Sequence, residues 1–346
     1  MYDNIKLSID VAFDETRRDE FCTRFGLCTK NEKLKIWHNK DEKNLKQNLG
    51  VYMHLKNTKL TLEFSLHKVY NYKLFDKQFN YNDFDFKQAR KAAGWLDEMF
   101  NQYFDIMQAV VKKYEVGINV LTSENPIEYL QELKQINVGT RILRIEEDIR
   151  YKEYQQYSTH RDKDKRVIYI FYNKTFEVQS KSKKIDRANV PENILRLEKD
   201  NKRLFEKILF SRLFDTDFKK HTIKEYKQRF YNDLVYRETQ VKPKDMRQSD
   251  FDICKNIIEN GLQAVREQYK KDYKEGRTIE RTYYRRLQKI ERLSKQTDEI
   301  KTEISRRAAE LNNLIISKLK ELTKMTVFYN SMVKTKNEEI GTNENE

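Results

Sequence analysis

The chain has 21 tyrosines, and Tyr172 is set apart by its neighbours. In the run 166–178 (RVIYIFYNKTFEV) apolar and polar residues alternate at the period of a β-strand, so Tyr172 and Lys174 share a face. An ammonium beside a phenol stabilises phenolate, which tyrosine otherwise forms only at a pH of about 10, and so arms the oxygen as a nucleophile. The run 59–71 (KLTLEFSLHKVYN) also alternates and projects Glu63, Ser65 and His67 together. A carboxylate and an imidazole are acceptable ligands for magnesium or manganese when phosphate oxygen and water complete the shell. Glu177, on a hairpin arm after Tyr172, is a further acid within reach of that place. Arg196 and Glu198 (NILRLEK, 193–199) share another strand face, and Arg144 with Glu146 repeats the spacing in 141–150 (RILRIEEDIR). Together with Lys174, the two arginines suit a groove for a nucleic-acid backbone, in which phosphate contacts supply affinity without reading sequence. Each pattern has a plainer counterpart. A strand tyrosine usually packs, Glu63 and His67 fit a solvated strand face, and the arginine and glutamate alternation fits cross-strand ion pairs.

The elements that must position these residues change character near residue 205. Before it, short runs rich in β-branched and aromatic residues alternate at 4–13, 33–38, 51–56, 59–71, 115–122, 140–149 and 166–178, which predicts strands. Helical spacing appears over 86–104, and Asn125-Pro126 opens a shorter helix ending near residue 135. The expected class is α+β with a mainly antiparallel sheet. After residue 205 the stretches 205–214, 223–236 and 250–271 read as helices. From 279 to 322 there is neither proline nor glycine, and Ile290, Leu293, Ile300, Ile304, Leu311 and Leu314 form an approximate seam interrupted by Thr297 and Arg307. One long helix is expected there, folded back on its own domain or paired in a dimeric coiled coil. The expected divisions are a catalytic domain over 1–205, a helical DNA-binding or partner-binding region over 206–335, and a disordered acidic tail over 336–346.

Composition narrows the classes. Lysine and arginine number 69 against 55 acids, a formal charge of +14, which favours a polyanionic partner. No apolar run approaches the roughly 18 residues of a membrane span, and residues 1–20 lack the apolar core of a secretory signal, so a cytoplasmic protein is expected. Cys22, Cys28 and Cys254 form no zinc spacing and are read as reduced. No glycine-rich phosphate loop or Walker A pattern is present, which disfavours nucleotide-driven chemistry.

The ordered set MYDNIKLSI, GVYMHLKNTKLTLEFSLHK, YEVGINVLTS, RVIYIFYNKTFE and NILRLEK resembles the replication initiators of the filamentous-phage gene II/gene X family and related plasmid proteins, over roughly residues 1–215. The resemblance implies a Rep-like (HUH) nuclease that nicks one strand at a replication origin, stays linked to the 5′ phosphate and later rejoins the strand. It implies Tyr172 as nucleophile, Lys174 beside it, and Glu63 with His67 or Glu177 as ligands of a divalent metal ion, magnesium or manganese. Arg196 and Glu198 match the family's late strand. Asn119 departs from the family, which commonly has an aspartate there. The implied partners are single-stranded and duplex origin DNA and a host helicase. Asn119 also favours a rival, a non-catalytic DNA-binding regulator on the same scaffold. A third alternative, an RNA-binding or coiled-coil protein, rests on basic charge and the expected long helix.

Overall fold

The computed structural model describes residues 2–31, 35–39, 42–138, 141–147, 154–158, 167–181, 190–202, 204, 206–297, 300 and 302–322. The chain divides into two compact units, Met1–Val235 with Glu310–Glu346, and Tyr236–Ala309. The class is α+β, as expected. The first unit is built on a large sheet that runs, strand by strand, Leu133–Val138, Arg141–Glu147, Tyr154–Ser158, Val167–Asn173, Ile194–Asn201, Val110–Leu121, Tyr2–Asp10, Lys59–Ser65, Tyr52–Lys56, Ile36–His38 and Cys28–Asn31. These neighbours pair antiparallel.

One face of the sheet carries the core. Tyr2, Ile5, Leu7, Leu62, Val116, Ile118, Leu195, Leu197 and Phe171 are all buried. Two helices cover them. Phe86–Phe100 presents Ala89, Ala92 and Ala93, small residues that let it lie close, together with Leu96, and its start is fixed by a capping box between Asp85 and Gln88. Tyr2 meets Phe86 at 5.3 Å between ring centroids and Phe214 at 6.2 Å. Thr216–Lys227 brings Tyr226, whose hydroxyl donates to the Leu197 carbonyl at 2.7 Å and whose ring stacks on Phe230. Residues 310–322 add a helical segment to this unit, with Leu311, Ile315, Leu319 and Leu322 buried.

The second unit, Tyr236–Ala309, holds the helices Gln248–Asn260, Leu262–Lys274 and Glu280–Ser294 and a two-stranded ribbon, Glu238–Gln240 with Thr302–Ile304. Cys254, Leu293 and Ile300 form one small core; Ile257, Val265 and Ile290 form another.

Several expectations are corrected. Residue 205 is not a boundary: Ile208–Leu209 pairs with Val111 and Val110, and Thr216–Lys227 covers the sheet, so the chain stays in the first unit to Val235. The run 59–71 is a strand only to Ser65, which caps the helix Leu66–Phe75. The run 166–178 is a strand to Asn173, followed by the helix Lys174–Lys181. The long helix over 279–322 is interrupted after Ser294, because burying Ile300 against Cys254 and Leu293 takes the chain off the helix axis and into the ribbon. Its seam residues Ile290 and Leu293 are used inside the unit. The acidic tail 336–346 lies outside the described residues.

Candidate functional site

The opposite face of the sheet is polar at its centre. Register pairs Arg196 with Asn119, Glu198 with Gly117 and Asp200 with Glu115, while Tyr172 lies across from Arg196 on the other side. Residues directly opposite on antiparallel strands share a face, so these side chains meet. A register shift between Tyr2 and Ile5 lets both Asp3 and Asn4 reach them, Asp3 to Arg196 and Asn4 to Glu115.

Arg196 is the hub, 2% exposed. Its guanidinium donates to Glu198, to Asp3, to the Asn119 side-chain oxygen at 3.0 Å and to the Asn80 carbonyl at 3.4 Å. Burial by itself disfavours the cation, but Glu198 and Asp3 more than offset this and hold it charged. Gly117 makes this packing possible. A Cβ there would stand 2.9 Å from Arg196 Nη2 and 3.1 Å from Glu198 Cγ. Burial would raise the Asp3 carboxyl, yet the charge of Arg196, then His67 and the Ser65 hydroxyl hold it well below the usual range.

Tyr172 donates its hydroxyl to Glu198 at 3.1 Å. Burial, and next the Glu198 charge, push this phenol well above 10 despite Arg196. Lys174 does not share a strand face with it. The Asn173 side chain accepts from Phe176 N–H at 3.0 Å and so caps a helix that Lys174 opens. The ammonium still lies 5.7 Å from the centre of the Tyr172 ring and bonds Glu177, three residues on, at 2.6 Å. Burial and Arg196 lower the Lys174 ammonium in spite of Glu177.

Of the remaining expected residues, His67 lines the same cavity as Asp3, Asn119 and Arg196, whereas Glu63 and Arg144 stand on other strands of the sheet. Glu63 pairs with Lys6 at 3.5 Å on the same sheet face, with side-chain exposure of 44%, but its strand is four strand positions from that of Tyr172, roughly 19 Å at about 4.8 Å each. His67 is buried in the first turn of Leu66–Phe75, bonded to the Asn82 side chain at 2.6 Å and stacked on Phe84. Burial, with help from Arg196, pushes its ring down to about 3 despite Asp3. Glu63, His67 and Glu177 are each engaged by a protein partner, Lys6, Asn82 and Lys174 in turn. Among the described residues no group of three His, Cys, Asp or Glu side chains is placed to hold a metal ion. Arg144 lies in the strand Arg141–Glu147, across from Gln135.

Sequence reasoning missed Asp3, Asn80, Asn82, Glu115 and Gly117. Asn82 also bonds Asn71 in both directions, at 2.8 and 3.2 Å, and Asn119 Nδ2 donates to the carbonyls of Tyr81 and Asn82 at 3.0 and 3.3 Å. An aspartate at 119 would lack those donors, so the amide is the group that fits this loop. Two signals were present in the sequence: a glycine inside the strand run YEVGINV, which marks close approach, and an asparagine cluster in FNYNDFD. Lys113 bridges Glu115 at 2.7 Å and Asp200 at 3.3 Å. Burial, followed by the like charge of Glu198, raises Glu115 to about 7 although Lys113 opposes it. No described helix is long and apolar enough to cross a membrane. In comparison with known proteins, no family model matches the chain and no curated protein matches it at a significant level.

Proposed function

We propose that the chain nicks and rejoins one strand of DNA through a covalent phosphotyrosine at Tyr172, as a rolling-circle replication initiator does. One observation carries this: the Tyr172 hydroxyl donates to Glu198 at 3.1 Å, with the cations Arg196 and Lys174 beside the pair. Because burial disfavours free phenolate, the proton passes to Glu198 as the oxygen attacks phosphorus. The bond from phosphorus to the 3′ oxygen breaks, the strand's 5′ phosphate stays on Tyr172, and the 3′ oxygen takes up a proton. Arg196 and Lys174 balance the charge that builds on the phosphate. Closure is the reverse: the 3′ hydroxyl attacks the phosphotyrosine, and Tyr172 leaves as phenol. Glu63, His67 and Glu177 each have a protein partner, and no step is routed through a metal ion. Origin DNA, single-stranded and duplex, and a host helicase are the partners that this proposal carries.

The second possibility is a non-catalytic DNA-binding regulator. What favours it is the mutual saturation of the cluster: Arg196 is engaged by Asp3, Glu198, Asn119 and Asn80, and Lys174 is 1% exposed. A pool of labelled single-stranded oligonucleotides of randomised sequence separates the two. The nicking proposal expects an adduct that survives denaturation, lost in Tyr172→Phe while binding stays within a few-fold. Binding without any adduct supports the regulator instead.

A further inference from the structure

The helices Leu262–Lys274 and Glu280–Ser294 of the second unit form an antiparallel pair joined by a turn at Gly276, which has φ 70°. One end is closed by Val265 and Ile290 and by the ion pair of Arg266 with Glu291. Toward the turn, tyrosines replace aliphatic packing. Tyr273 and Tyr283 stack with ring centres 4.8 Å apart and planes 10° from parallel, and Tyr284 leans on Tyr283 at 5.3 Å. Tyr273 is 36% and Tyr284 56% exposed. Within residues 262–286 there are eight lysines and arginines against four acids, and Lys270, Lys274 and Arg281 are exposed around the tyrosines.

We propose that this hairpin tip binds single-stranded DNA, with bases stacking on Tyr273 and Tyr284 and phosphates meeting Lys270, Lys274 and Arg281. Flat aromatic faces left in water are poorly used by a purely solvated helix pair, and a duplex, whose bases are already stacked, offers them nothing. An unpaired strand supplies both a π-face for each ring and a phosphate for each cation. The inference stands on the second unit alone and does not depend on Tyr172 being a nucleophile.

Full-length protein is irradiated with a single-stranded oligonucleotide carrying 5-iodouracil, and the cross-linked peptides are mapped. Cross-links within 262–294 are expected, in wild type and in Tyr172→Phe alike, which separates this site from the nicking proposal. Cross-links found only outside that span overturn it. In fluorescence anisotropy, Tyr273→Ala with Tyr284→Ala should weaken single-strand binding about fivefold or more per lost stack, without changing the salt slope. The Phe pair should bind as wild type does, since the rings remain. Lys270→Glu with Lys274→Glu should flatten log K against log salt by about 0.7 per lost contact. If the Phe pair loses as much as the Ala pair, or duplex of the same sequence competes as well as single strand, the tip is not a stacking site.

Discussion

At the scale of single residues the polar face is a balance of opposed titrations. His67 falls from 6.5 to about 3 in the fold, so its contribution to stability is present above pH 6.5 and is lost as pH falls toward 3. Glu115 rises from 4.5 to about 7, so its contribution is present below pH 4.5 and is lost as pH climbs through 7. Between pH 4.5 and 6.5 the two slopes oppose, each on the order of 1.4 kcal/mol per pH unit. Glu115→Gln should therefore remove the Glu115 slope that opposes His67, and the urea midpoint of the variant should drop more steeply than that of wild type as pH is lowered from 6.5 to 4.5. Parallel profiles would remove Glu115 from the balance. Gly117→Ala tests the hub sterically. The added methyl meets the Arg196 guanidinium at 2.9 Å, and the resulting displacement should cost about 1–3 kcal/mol in thermal denaturation and lower any nicking rate.

At the scale of elements, two short polar residues decide where strands end. Ser65 accepts from Lys68 N–H at 3.2 Å while donating to Asp3, so one hydroxyl both starts a helix and braces the carboxylate that faces Arg196. Ser65→Ala should lower stability by about 1–3 kcal/mol, measured by chemical denaturation, with Ser65→Thr recovering part of it. The same physics explains how far the sequence could be read. The strand runs 4–13, 51–56, 115–122 and 166–178 and the helix over 86–104 were legible because apolar residues recur on the face that meets the core, and that recurrence has a period. The ends of the runs at Ser65 and Asn173 were not, since LEFSLHK and YIFYNKT continue to alternate past the residue whose side chain caps the next helix. Tyr172, Arg196 and Glu198 were placed together in the structure through register, which the arginine and glutamate spacing foreshadows. Glu63 shares their face, yet nothing in its spacing tells how many strands intervene.

At the scale of the molecule, the first unit takes its last piece from the far end of the chain. Glu310 accepts from Ser123 N–H at 2.9 Å, from the Ser123 hydroxyl at 2.8 Å and from Tyr129 at 2.7 Å. Lys318 bonds Asp83 at 2.6 Å, beside the loop that carries Asn80 and Asn82. Ile315 is fully buried. Ile315→Ala should cost about 2–5 kcal/mol, and hydrogen exchange should show the loss in the sheet of the first unit, although the substitution lies some way down the chain. No change in sheet protection would mean that 310–322 contributes little to that unit.

This return of the chain also orders events in time. A ribosome delivers residues from the N-terminus onward at about 5–20 per second, so after Val235 it must make all of Tyr236–Ala309 before Leu311, Ile315 and Leu319 exist to cover their neighbours. Through that interval, several seconds long at such a rate, the nascent sheet waits with one of its covers missing. A message with a premature stop before codon 310 would consequently release a polypeptide that contains Tyr172, Arg196 and Glu198 but not the helix that completes their unit, and quality control would meet it as an unfinished protein.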